Sequence, residues 1–173
     1  QEQHFARCAG VARFTWNWAL AAYNEALARG ERPQLAELKR EFNRQRRDAG
    51  LAPWVGEVQS YAYQYAFTDL QAAVSRYHQF RRDGRLKPPA DWKGRGDGRP
   101  FGWPRFKSRE QTTPAFGIAN TQLAVTDHWL AFARCPGRVN MAEVLRFQGK
   151  IMSGRGSYRG GRWWIAVTVG TEQ

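Results

Sequence analysis

The chain has 173 residues, with 27 basic residues against 15 acidic ones and a formal net charge of +12; 22 of the basic residues are arginine. A guanidinium forks onto phosphate and stacks on flat rings, so this balance predicts a polyanionic partner, nucleic acid before all others. It argues against a membrane partner, because no basic helix carries a greasy face and no apolar run approaches the ~18 residues that a span needs.

The first predicted helix runs from the start of the chain to about residue 28. Its apolar residues Phe5, Cys8, Ala9, Ala12, Trp16, Ala19, Leu20, Tyr23 and Leu27 fall in a three-and-four rhythm, and Gly30 ends it. Val11, Phe14 and Trp18 make a second apolar face, which predicts a helix wedged between two neighbours. A second helix is predicted over 34–48, with Leu35, Leu38 and Phe42 inward and Arg40, Arg44, Arg46 and Arg47 outward. Those arginines read either as a solvated face or as a contact to a nucleic-acid backbone.

A third helix is predicted over 60–82. One stripe is apolar: Ala62, Tyr65, Ala66, Leu70, Ala73, Val74, Tyr77 and Phe80. The opposite stripe, Ser60, Gln64, Thr68, Gln71, Ser75, His78 and Arg82, is polar but scarcely charged. Ser and Gln exchange hydrogen bonds with base edges, which suits a helix laid in a groove; an ordinary solvated face with Ser60 as N-cap explains the stripe equally well. His78 reads as a surface residue.

Between Arg76 and Arg109 stand 11 basic and 3 acidic residues, the electrostatic centre of the chain. Prolines and glycines forbid regular structure over 86–102, and a loop of this length predicts disorder until a partner binds. Trp92, Phe101, Trp103 and Phe106 are interleaved with the cations, flat faces on which bases stack while basic residues hold phosphates.

From residue 112 the rhythm shortens to alternating runs at 115–119, 123–126, 129–134, 144–147, 150–153 and 163–169, with turns at Asn120, Pro136-Gly137 and Gly160-Gly161. Six such strands predict a small antiparallel barrel or sheet. Arg146, Lys150, Arg155, Arg159 and Arg162 bring five more cations, and Gly154, Gly156 and Gly160 are expected to let the backbone approach a partner closely. Trp163 and Trp164 put one indole on each face of their strand: one in the core, the other under a neighbour or against nucleic acid.

The acids Asp69, Asp91, Asp97, Asp127 and Glu143 are scattered over a helix, a loop and turns, so the pattern assigns no catalytic residue and no metal ligand to this chain. Cys8 and Cys135 lack any Cys or His at ligand spacing, which predicts reduced core thiols in a cytoplasmic protein. No charged-then-apolar leader opens the sequence.

Three segments carry a family resemblance. GWPRFKSR, Gly102 to Arg109, resembles the G-[FYW]-P-[RK]-F-K-[SK] signature of the TnpB/OrfB family, transposon-associated RNA-guided DNA endonucleases related to the type V CRISPR effectors. CAGVARFTWNWAL, Cys8 to Leu20, is similar to the family's first-helix pattern C-x-R-F-x-[YW]-N-x-x-L. SYAYQYAFTDLQAAVSRYHQF, Ser60 to Phe80, resembles S-x-x-L-Q-x-A-L-x-D-L-x-x-A-F-x-x-F-F, departing at Tyr63 and Val74.

The resemblance implies an α+β chain: a helical recognition domain at 1–85, a basic linker at 86–104 and an oligonucleotide-binding-like wedge β-barrel at 105–173. It implies guide RNA and target double-stranded DNA as partners, with protein reading a short target-adjacent motif. Motif contacts are expected from Ser60, Gln64, Lys107 and Gln111, then Tyr61 and Tyr63. Arg76, Arg82, Arg105, Arg109, Arg146, Lys150, Arg155, Arg159 and Arg162 are expected on RNA or DNA backbones.

The family's RuvC-type nuclease domain and zinc ribbon, which use Mg and Zn, and its first barrel strand are expected outside this chain, in a protein located with the prokaryotic nucleoid. A stand-alone DNA- or RNA-binding module is the alternative, and it leaves the three ordered segments unexplained.

Overall fold

A computed structural model describes residues 1–48, 50–126 and 128–170. Three helices come first: α1 (Glu2–Ala28), α2 (Leu35–Arg47) and α3 (Tyr61–Arg82). Six strands follow: β1 (Ala115–Ala119), β2 (Leu123–Val125), β3 (Trp129–Phe132), β4 (Val139–Asn140), β5 (Lys150–Arg159) and β6 (Arg162–Gly170). This is the α+β arrangement that the change of apolar period predicts.

The two apolar faces of α1 explain its place. Phe14 and Trp18 turn to α2, where Trp18 meets Phe42 edge-on with ring centroids 5.1 Å apart. Phe5 turns the other way and packs on Phe116, Phe132 and Trp163 from the strands. The helix is thus wedged as its sequence requires, and Gly30 stops it at φ +78, a conformation that a Cβ disfavours. Phe42 is fully buried, and burial of such a ring stabilises by ~2–3 kcal/mol. Trp103, from the Pro- and Gly-rich stretch, joins the same core as Tyr77 and Leu70.

The strands form two antiparallel sheets, ordered β1-β5-β6 and β2-β3-β4, and among the described residues they do not close into a barrel. The turn at Asn120–Gln122 carries the chain from β1 on the first sheet to β2 on the second, and β2 pairs with β3 rather than β5. The barrel expectation is corrected to this pair of sheets. Residues 144–147 form no strand: Val144 and Phe147 are 54% and 70% exposed, since their alternation finds no partner strand to pair with. Lys150 instead opens a hairpin longer than its apolar pattern suggests, β5 running to Arg159 and turning through Gly160-Gly161 at φ +56 and +76.

Gly154 and Gly156 have a different use from the one expected. A Cβ on Gly156 would stand 2.6 Å from the Phe116 ring, and one on Gly154 would stand 2.8 Å from Leu123. These glycines admit the chain's own core side chains, not an outside partner. Gly117 serves likewise under the ring of Tyr65, 2.2 Å from where its Cβ would be. The loop at 86–104 is irregular yet tied down: Arg95 donates to the Trp103 carbonyl at 2.8 Å and pairs with Asp97, while Arg99 donates to the Asn24 carbonyl at 3.0 Å.

A candidate nucleic-acid interface

The basic-aromatic stretch after the loop lies along α1 as a strap, and named side chains of α1 hold it there. Trp103 donates its indole N–H to Asn24 Oδ1 at 3.1 Å, and Trp16 donates to the Arg105 carbonyl at 2.9 Å. Asn17 grips both backbone polar groups of Lys107: its Nδ2 donates to the Lys107 carbonyl at 3.0 Å, and its Oδ1 accepts the Lys107 amide at 2.8 Å. Strap and strand are different things here. Residues 105–107 have no strand partner among the described residues, and Phe106 stands 50% exposed.

The Lys107 side chain lies over the Trp16 ring, its Nζ 3.8 Å from the centroid. Burial holds its ammonium below the ordinary lysine range; Asp69 counters this by attraction, and Arg155 adds to it by repulsion. Arg155, on β5, makes a two-pronged contact to Asp69 of α3 at 2.8 and 3.1 Å. That contact raises the Arg155 pKa and joins the helical half to the strand half.

Around these groups opens a groove of about 550 Å³. One wall is Ala9, Gly10, Ala12 and Arg13 of α1; another is Ala62, Tyr65, Ala66 and Asp69 of α3; Arg109, Thr112 to Ala115, Arg155 and Tyr158 complete it. The space exists because the facing helix positions are small, and its charge is basic because Arg13, Lys107, Arg109 and Arg155 outnumber Glu2 and Asp69. Such a groove can hold a phosphate by its cations and a base by Tyr65 or Tyr158.

Of the predicted contacts, Lys107, Arg109 and Arg155 meet in the groove. Ser60, just before α3, and Tyr61 and Gln64 in its first turn are half-buried but outside the groove lining, and Gln111 is exposed in the turn after Ser108. Tyr63 is corrected to a core residue: it is 4% exposed, packed on Phe42 and covered by the Arg46 guanidinium. Ser60 makes no capping hydrogen bond. Gln59 does that work instead, accepting the Tyr61 amide at 2.8 Å while donating to the Gly117 carbonyl at 2.6 Å. It thereby pins the start of α3 to β1.

Arg76, Arg105, Lys150, Arg159 and Arg162 are exposed, away from the groove lining. Arg82 faces Asp83 at 3.8 Å and Arg146 faces Glu143 at 3.4 Å, both in solvent where such pairs contribute little. Asp127 lies outside the described residues, and among those described no three His, Cys, Asp or Glu side chains converge as metal ligands.

Sequence reasoning missed Arg13, Asn17 and Asp69. Arg13 had a signal, a lone cation beside the small residues Ala9 and Ala12; Asn17 and Asp69 had only their places in the resembling segments.

Residues 1–32 match the family model HTH_OrfB_IS605, described as a helix-turn-helix domain. The matched span is α1 and the turn through Gly30, so it contains Arg13, Trp16, Asn17 and Asn24, the residues that line the groove or hold the strap. The match makes this N-terminal segment similar to the OrfB (IS605) helix-turn-helix domain. No curated protein matches the chain significantly. Among the described residues no helix is long and apolar enough to cross a membrane.

Proposed function

We propose that this chain is the recognition and wedge portion of an RNA-guided DNA endonuclease of the TnpB/OrfB kind. It holds the scaffold of a guide RNA and reads a target-adjacent motif in duplex DNA. The observation that carries this reading is the basic groove at the meeting of α1, α3 and β5, with the strap that delivers Lys107 docked on the helix that the family model matches.

A rigid strap gives a cation a fixed place against a base edge or phosphate, and Arg155, Arg109 and Arg13 supply the backbone contacts around it. Gln64, Ser60, Gln111 and Tyr61 flank the site as further motif contacts. Arg76, Arg82, Arg105, Arg146, Lys150, Arg159 and Arg162 carry the backbone of guide RNA or heteroduplex. Cleavage, with its Mg and Zn, belongs on this reading to a RuvC-type nuclease domain and a zinc ribbon of the same protein, acting in the cytoplasm on the nucleoid. No residue of the present chain is assigned a catalytic role.

The test is binding of a motif-bearing duplex, chosen by selection from a randomised library, against its scrambled version, with and without guide RNA. K107A and Q64A should each weaken the motif duplex selectively by about 5- to 150-fold, the range of a lost base contact. Equal loss on both duplexes would reduce these residues to phosphate contacts. Motif binding that is undiminished without guide RNA would favour a stand-alone module.

A further inference from the structure

The β5–β6 hairpin has two faces of opposite character, and the pairing register separates them. Tyr158 and Trp163, Gly156 and Ile165, Gly154 and Val167 are paired on the inner face, where Trp163 meets Phe5 and Phe116. The outer face carries the alternate pairs: Arg159 with Arg162, Ser157 with Trp164, Arg155 with Ala166, and Ser153 with Thr168. Three guanidiniums, one indole and small polar or methyl groups make up that face. None of these eight hairpin residues is acidic; Asp69 of α3 pairs with Arg155 at one border of the face, and Met152, 49% exposed, lies beside Gly170 at the end far from the turn.

Trp164 is 52% exposed, and its indole N–H donates to the Arg159 carbonyl at 3.2 Å, which fixes the ring over the turn. The turn itself is Gly160-Gly161, with open space where both Cβ atoms would stand, so the turn puts no side chain over the ring. Arg159 and Arg162 have no carboxylate partner among the described residues, while Arg155 reaches from the same face into the basic groove.

We propose that Trp164 is a stacking platform for an unpaired nucleotide, with Arg159 and Arg162 holding the phosphates on either side and Arg155 linking this face to the groove. Arg159 and Arg162, which flank the ring without a carboxylate partner among the described residues, choose a single nucleic-acid strand over an apolar protein segment as the occupant. RNA and DNA share this chemistry, since every base has a π-face. The assignment rests on the nucleic-acid reading above, and it adds a site on the sheet that neither the resembling segments nor the family match reaches.

The test measures anisotropy of labelled oligouridylate and oligothymidylate of about 15 nucleotides, beside a duplex of the same length, with wild type, W164A, W164F and the R159A/R162A double variant. W164A should bind both single strands about 5- to 100-fold more weakly, the loss of one stacked base, with the duplex little affected and the salt slope unchanged. W164F should keep most of the affinity. R159A/R162A should lower the single-strand salt slope by about 1.4, two phosphate contacts at ~0.7 each.

Single-strand binding by W164A equal to wild type, or equal loss on strand and duplex, would overturn the proposal and leave the groove reading standing. So would a self-association in sedimentation that W164A abolishes while oligonucleotide affinity stays constant, since a second copy would then cover the ring. A wild-type chain that binds none of the three probes sinks the stacking site and the nucleic-acid reading together. A difference between the oligouridylate and oligothymidylate losses would identify which strand the platform serves. Melting curves of W164A should fall only slightly below wild type, since about half of the residue is exposed and one hydrogen bond, to the Arg159 carbonyl, is lost.

Discussion

Replacing Asn17 with alanine tests whether the strap must be held for the groove to work. The substitution removes two hydrogen bonds, Nδ2 to the Lys107 carbonyl at 3.0 Å and the Lys107 amide to Oδ1 at 2.8 Å, from a half-buried site. At ~0.5–1.5 kcal/mol net for each, the loss is about 1–3 kcal/mol. In a chain of this size that lowers the melting temperature by roughly 2–12 °C. Trp16 and Asn24 still hold residues 103 and 105, so the strap is loosened at Lys107 and not released.

The informative measurement is a double-mutant cycle on motif-duplex affinity. N17A acts on binding only through the position of Lys107, so N17A added to K107A should cost nothing further. An N17A variant that melts lower yet keeps its duplex affinity, or whose effect adds in full to that of K107A, would show that the strap need not be held for the groove to bind.

Three further outcomes follow from the geometry. G156A should destabilise the fold by about 1–3 kcal/mol in chemical denaturation because its Cβ would meet the Phe116 ring at 2.6 Å, whereas G160A, with open space but φ +56, should cost less. Burial and the neighbouring Cys135 push the Cys8 thiol up to about 12, so alkylation at pH 8 should be slow in the native protein and rapid in denaturant; equal rates would place Cys8 outside the core.

For Lys107, the folded state binds its proton less tightly than the unfolded chain, so the charged group costs stability. Stability should therefore rise as pH climbs from its lowered native value towards the ordinary 10.5, while the part of duplex affinity that depends on its charge falls over the same window. K107R should remove the affinity change, and a pH profile identical to wild type would show that Lys107 carries none of it.

The amino-acid sequence by itself determined the helices, because apolar residues at three-and-four spacing leave one periodicity that buries them, and Gly30 supplies the stop. It determined the alternating strands flanked by turn residues, and through charge and three ordered segments it pointed to nucleic acid. What it left open was every choice that depends on a neighbour distant in the chain.

Whether 144–147 is a strand is decided by pairing, and no edge meets it. The reason for Gly154 and Gly156 appears only when Leu123 and Phe116 sit on them. Tyr63 and Tyr65 are alike in sequence, yet one is buried against Phe42 of α2 and the other lies over Gly117 of β1, where it walls the groove.

Lys107 and Gln111 looked equivalent as readers, but only Lys107 has an asparagine of α1 holding its backbone. Trp163 and Trp164 could not be told apart until Phe5 chose the first for the core. Local pattern fixes which residues must be hidden or turned. Which partner hides them, and so which cations are left facing one groove, is a property of contacts between residues as far apart in the chain as Phe5 and Trp163.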